Sequence, residues 1–111
     1  HLRCIAIPYF STSGLVDDPK FYNLTTNEGL FLNGTFTPGT TYTVDTRPGY
    51  KSITRGDGLN IISRFLVMDS NHRKSKWLQL LPGDNEIRYD AKSGAASMDV
   101  SLSVRPLFEG I

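Results

Sequence analysis

The chain has a single cysteine, Cys4, and that scarcity excludes an internal disulfide and every metal signature built on several cysteines. Only two histidines are present, His1 at a terminus and His72 in a polar stretch, whereas a nucleophilic triad needs a base beside its nucleophile. Charge of one sign is also lacking: 111 residues carry a net +1, so no global field draws the chain to nucleic acid or to an acidic membrane. No apolar run approaches the ~18–20 residues of a membrane span, and no signal-peptide pattern opens the sequence. Internal repeats and low-complexity tracts are missing as well. Nucleic acid, membrane insertion and cofactors are therefore not expected.

What is present is a series of short alternating runs punctuated by turn residues. Leu2–Ile7 is apolar apart from Arg3 and reads as a strand ended by Pro8, with Cys4 buried in it as a small hydrophobe. A polar loop is expected over residues 11–19, then the pair Phe21 and Tyr22. Asn33-Gly34 between apolar runs is a hairpin signal, because both central residues of a type I′ turn take positive φ. Tyr42 and Val44 should face inward while Thr41, Thr43 and Asp45 face out. Arg47-Pro48-Gly49 and Gly56-Asp57-Gly58 read as turns around a short strand over 50–54. Over Leu59–Met68, Ile61/Phe65 and Ile62/Leu66 suit a helix while the β-branched and aromatic content suits a strand, and both stay open. Residues 69–76 read as an exposed polar loop.

Trp77-Leu78-Gln79-Leu80-Leu81 reads as a strand, Pro82-Gly83-Asp84-Asn85 as a reversal with Gly83 at positive φ, and Ile87, Tyr89 and Ala91 as the inward face of a further strand. Met98, Val100, Leu102 and Val104 share one face of the last strand, which should pair with residues 86–91 as an antiparallel hairpin. Many short strands without a clear helix argue an all-β fold, an antiparallel β-sandwich or jelly roll, with residues 1–111 forming one domain. The chain starts in strand-like sequence without an initiator Met, so it is expected to continue a longer two-domain chain.

Candidate functional residues are few. Of Asp45, Asp57, Asp84, Glu86, Asp90 and Asp99, most fall on outward faces or in turns, where solvated carboxylates belong, so no enzyme is expected. His72, Arg73, Lys74 and Lys76 form a local basic patch that Arg64 could join; a solvated loop or a subunit contact accounts for it better than a phosphate site. Asn23-Leu24-Thr25 and Asn33-Gly34-Thr35 match the glycosylation acceptor pattern, and Arg55-Gly56-Asp57 an integrin-binding tripeptide, in a chain where Thr and turn residues are common enough to give both. Sugar-binding sandwiches stack pyranose rings on exposed aromatics. Tyr9 and Tyr50 are the better exposed candidates, while Trp77, Tyr42 and Tyr89 should be core.

One ordered set of motifs goes further. Cys4–Pro8, Val44-Asp45-Thr46, Gly58-x-Asn60, the run from Trp77 through Pro82, Gly83 and Asn85 to Ile87, and the end through Phe108, Gly110 and Ile111 resemble the C-terminal domain of distal tail proteins of long-tailed bacteriophages, the siphovirus-type tail component family. The resemblance implies a galectin-like or carbohydrate-binding-module-like sandwich, with Asp45, Trp77, Pro82, Gly83 and Asn85 as its fold signature. It also implies a virion protein, made in the bacterial host cytoplasm, at the tail tip or baseplate. There it would act as an adaptor to other tail or baseplate proteins, or as a lectin-like module contacting host-surface glycan. Tyr9, Tyr50, Arg64, Arg73 and Lys74 are the expected partner surface. A hexameric ring is expected only with an N-terminal domain that the chain lacks, and the chain by itself should be a monomer. Residues 61–76 are longer and more basic than the family pattern.

Overall fold

Period-two alternation governs the structure, a computed structural model that describes residues 2–47, 49–69, 71–81 and 84–108, with side chains over 7–104 of these. Ten strands follow in order: β1 (Leu2–Thr12), β2 (Val16–Asn23), β3 (Glu28–Leu32), β4 (Thr35–Phe36), β5 (Thr41–Asp45), β6 (Ser52–Arg55), β7 (Phe65–Leu66), β8 (Gln79–Leu80), β9 (Ile87–Ser93) and β10 (Met98–Phe108). All pair antiparallel. One sheet runs β10-β1-β5-β6, with β8 also on β1; the other holds β4, β3 and β9 on β2, with β7 beyond β3. This is the antiparallel all-β sandwich expected from the alternation.

Side chains of both inner faces meet in one core. Phe10 packs on Phe21, Phe36 and Tyr42 with ring centroids 5.5, 5.5 and 5.1 Å away. Leu30, Leu32, Val44, Ile53 and Leu78 complete it, all nearly or fully removed from water. Tyr42 and Val44 point inward as the alternation requires, and the buried Tyr42 hydroxyl donates to the Thr37 carbonyl at 3.0 Å. Trp77 is half-buried at the core's margin, and Leu78 is the residue of that run that is fully inside.

Several local expectations are corrected. Pro8 does not end its strand: β1 continues to Thr12, with Pro8 opposite Leu102. On its other side β1 meets β8 at residues 4–5 and β5 at residues 9–11, so Pro8 falls in a gap where its missing N–H deprives no partner. The polar loop shrinks to Ser13–Leu15, because Asp17, Asp18 and Pro19 lie in β2. Asn33-Gly34 is no hairpin turn. β3 and β4 both lie along the same side of β2, and the register steps by one residue between Lys20↔Phe31 and Asp17↔Thr35. That step is a bulge in which Gly34 takes φ +94 and Asp18 φ +49, and Asp18 binds Gly34 twice: its N–H donates to the Gly34 carbonyl and its Oδ1 accepts the Gly34 N–H.

The strands over 86–91 and 98–104 do not pair with each other either. β9 pairs with β2 and β10 with β1, so they belong to opposite sheets. Gly94, at φ +81, and a 3-10 turn over Ala95–Ser97 lift the chain across. A Cβ at Gly94 would collide with the Leu15 carbonyl. The run from Trp77 to Tyr89 is likewise a crossing, since β8 lies in one sheet and β9 in the other. Pro82 and Gly83 themselves are outside the described residues, as are the Cys4 side chain and the terminal Gly110 and Ile111.

The two flanks of the sandwich differ. At the β6/β7 flank the chain between the sheets, including a 3-10 turn at Ile62–Arg64, seals the edge: Ile61 N–H donates to the Ile53 carbonyl, and Ile61, Phe65 and Trp77 pack on the core. Both readings of Leu59–Met68 are thus partly right, as a 3-10 turn runs into a strand. At the β9/β10 flank inner-face residues stay in water. Tyr89 is 45% exposed and Val104 55% exposed, against the expectation that both are inward, because each sits on an edge strand with nothing beyond it among the described residues.

Candidate functional site

The basic stretch is built into the fold. Asp69 accepts the N–H groups of Asn71 and Arg73 on its Oδ1, and its own N–H donates to the Arg73 carbonyl, so residues 67–75 fold back as a finger rather than a free loop. The finger returns along β3: Ser75 Oγ accepts the Phe31 N–H at 2.9 Å and Lys76 N–H donates to the Gly29 carbonyl at 2.7 Å. With β7 it covers the β3 edge, which is the structural role of the long segment 61–76.

Arg64 and Arg73 are placed at opposite ends of β3 and do not form one patch. Arg64 lies over the Phe36 ring at 5.0 Å and donates from Nη1 to the carbonyls of Asn33 and Thr35. Arg73 lies over Tyr22 at 5.3 Å and donates to Asn27. Lys74 is exposed at the finger's return, its backbone bridged to Met68.

Beside the finger, on the outer face of the β2 sheet, lies a groove of about 460 Å³. Phe31, Leu66 and Met68 line its floor, and Asp18, Lys20, Asp69 and Lys92 its rim. Phe31 is 2% exposed and edge-on to Tyr22, so its ring has no face to offer a sugar. Nearby, the Asp17 carboxylate is held below the usual range by hydroxyl donors from Thr35 and Ser93.

On the opposite sheet, Tyr9 is half-buried on the outer face, flanked by Thr43 and Ser101. Tyr50 is 66% exposed, with the Arg47 guanidinium 4.7 Å from its ring centroid. Arg47 is itself clamped on Asp45 through Nε and Nη2, at 3.0 and 2.7 Å, which raises its already high pKa. Asp45 also accepts the Arg47 N–H, so this signature residue closes the turn after β5.

Two sequence patterns lose their functional reading. Arg55 and Asp57 bind each other at 3.0 and 2.6 Å, a pairing that brings the Asp57 carboxyl down to about 2 and occupies the groups an integrin would need. Asn23 is fully buried and so closed to glycosylation. Sequence reasoning missed its actual work. Its Nδ2 donates to the Gln79 carbonyl and to Asn85 Oδ1, and its Oδ1 accepts the Thr25 N–H. Asn85 in turn accepts the Leu81 N–H and donates to the Leu81 carbonyl. The pair staples β8 of one sheet to β2 of the other just where the Trp77–Tyr89 run crosses. An asparagine at the end of an alternating apolar strand, where an inward position falls, was the available signal.

No group of three or more metal-ligating side chains occurs among the described residues, and no helix is long and apolar enough to cross a membrane. No curated protein and no solved structure matches the chain. The family model for the siphovirus-type tail component, C-terminal domain, matches residues 6–106. That span takes in the Asp45 clamp, the Asn85 staple and both sheets of the sandwich, and the chain belongs to this family of phage tail structural proteins.

Proposed function

We propose that the chain is the outer domain of a distal tail protein, a non-enzymatic adaptor that holds neighbouring tail or baseplate proteins at the tail tip. Family membership carries the reading. The placement of charge supports it: Arg47, Arg55, Arg64 and Arg73 are engaged within the chain rather than gathered around a cavity. Chemistry would need convergent, perturbed groups in one pocket. An upstream ring-forming domain would complete the protein. The test is cross-linking mass spectrometry on purified virions, reading lysines at the groove rim, Lys20 and Lys92. Cross-links to other tail proteins are expected; a chain missing from purified virions would end the proposal.

A lectin-like role is the second reading, and Tyr50 favours it as an exposed ring beside a fixed cation. Titration with host cell-wall fragments would show saturable binding lost in Tyr50→Ala. A flat titration leaves the adaptor reading alone.

A further inference from the structure

β10 is an edge strand of eleven residues, paired with β1 along its length and with nothing on its other side among the described residues. Long edges of this kind are templates for another strand, and proteins commonly blunt them with lysines, prolines, bulges or a covering loop. Here residues 99–105 carry no lysine and no proline, Pro106 lying just beyond them, and the register to β1 runs without a step. Two prolines set the phase of the ladder. Pro8 lies opposite Leu102 and Pro106 opposite Cys4, and neither has an N–H to give, so the ladder loses nothing when these are the non-hydrogen-bonded pairs. Leu102 then directs its N–H and C=O to the free edge.

The sequence of that edge is self-complementary. Residues 99–105 read Asp-Val-Ser-Leu-Ser-Val-Arg, a palindrome about Leu102 whose two ends have opposite charge. We propose that β10 pairs antiparallel with β10 of a second copy about a two-fold axis at Leu102. In that register Leu102 meets Leu102, Val100 meets Val104, Ser101 meets Ser103, and Asp99 comes opposite position 105, an arginine. Direct cross-strand pairs of like apolar residues and of opposite charges are the favourable ones, and a two-fold contact makes each pair off the axis twice. The same contact would extend the sheet over the flank where Val104 and Tyr89 stand in water. It is a closed dimer, unlike a ring, and it replaces the monomer expected from the sequence. It is independent of the tail-tip reading.

Sedimentation velocity on the 111-residue chain in low salt tests it. The chain should shift from monomer to dimer with rising concentration. Asp99→Arg and Arg105→Asp should each weaken the dimer by about tenfold, since each turns two attractive pairs into repulsive ones. The double swap should restore it. Asp99 is exposed, so its variant keeps the fold, and circular dichroism verifies this for all three. A chain that stays monomeric up to about 1 mM, weaker than any specific contact of use, would overturn the proposal. So would a dimer indifferent to the single swaps, which would point to another surface.

Discussion

The two flanks of this sandwich solve the same problem in opposite ways. Both must end two facing sheets, and both do it next to a 3-10 turn that carries the chain from one sheet to the other. The β6/β7 flank is plugged by side chains: Ile61, Phe65 and Trp77 fill the gap, with Phe65 and Trp77 stacked in parallel at 4.6 Å. The β9/β10 flank is left open, with Tyr89 and Val104 in water. Its crossing is held by backbone geometry at Gly94 rather than by apolar bulk. Stability therefore concentrates at one flank, and available surface at the other.

That contrast is broken most directly by removing matched side chains. Ile53→Ala, at the fully buried edge of the plugged flank, should cost about 2–4 kcal/mol through lost transfer energy and an unfilled cavity. Val104→Ala, measured at a concentration where the chain is monomeric, should stay within about 0.5 kcal/mol, as surface truncations do. Urea midpoints measure both, and equal losses would mean that the open flank is packed after all. Asn23→Ala should rank next, at about 2–3 kcal/mol, because it removes a fully buried amide and its bonds to the Gln79 carbonyl, Asn85 Oδ1 and the Thr25 N–H at the crossing. A loss under 0.5 kcal/mol would show that water replaces the staple.

Gly94 is the open flank's own weak point. Gly94→Ala puts a Cβ against the Leu15 carbonyl at a positive φ, and should cost more than the ~1–2 kcal/mol of the backbone conformation alone. Gly58, at φ +88 with open space around it, should lose only the conformational part, about 1 kcal/mol, on the same change. Thermal melts that rank the two the other way would remove the close approach as the reason for Gly94.

How far the sequence reached follows the same local-versus-distant divide. Tyr42 and Val44 face inward because alternation is a property of one strand, legible in five residues. Positive φ at Gly34 was equally local. Pairing was not: β9 and β10 are neighbours in sequence with ideal alternation, yet they join different sheets, because the choice of partner depends on β1 and β2 far upstream. The grouping of Arg64 with Arg73 in one patch was out of reach in the same manner. Their charge was visible, but the carbonyls that hold them, on Asn33, Thr35 and Asn27, are 29 to 46 residues away. Asp45 and Asn85, by contrast, bind backbone only two and four residues away, a relation that spacing alone makes legible.

The smallest expected effect lies in the turn that leads out of β6 into the plugged flank. Asp57 is fully at the surface, yet it accepts from Arg55 and from the Leu59 N–H, and its folded pKa falls from the ordinary 3.8 to about 2. A depressed carboxyl contributes stability that is present above about 3.8 and is lost as the pH falls through about 2. The turn should therefore hold at mildly acidic pH and loosen only in strong acid, and salt should weaken it, because exposed pairs are screened. NMR titration of the Asp57 side chain reads the midpoint directly. A midpoint near 3.8 would mean that Arg55 swings free in solution. The plugged flank would then rest on Ile61, Phe65 and Trp77 without help from its charged turn, and the contrast between the flanks would reduce to apolar packing alone.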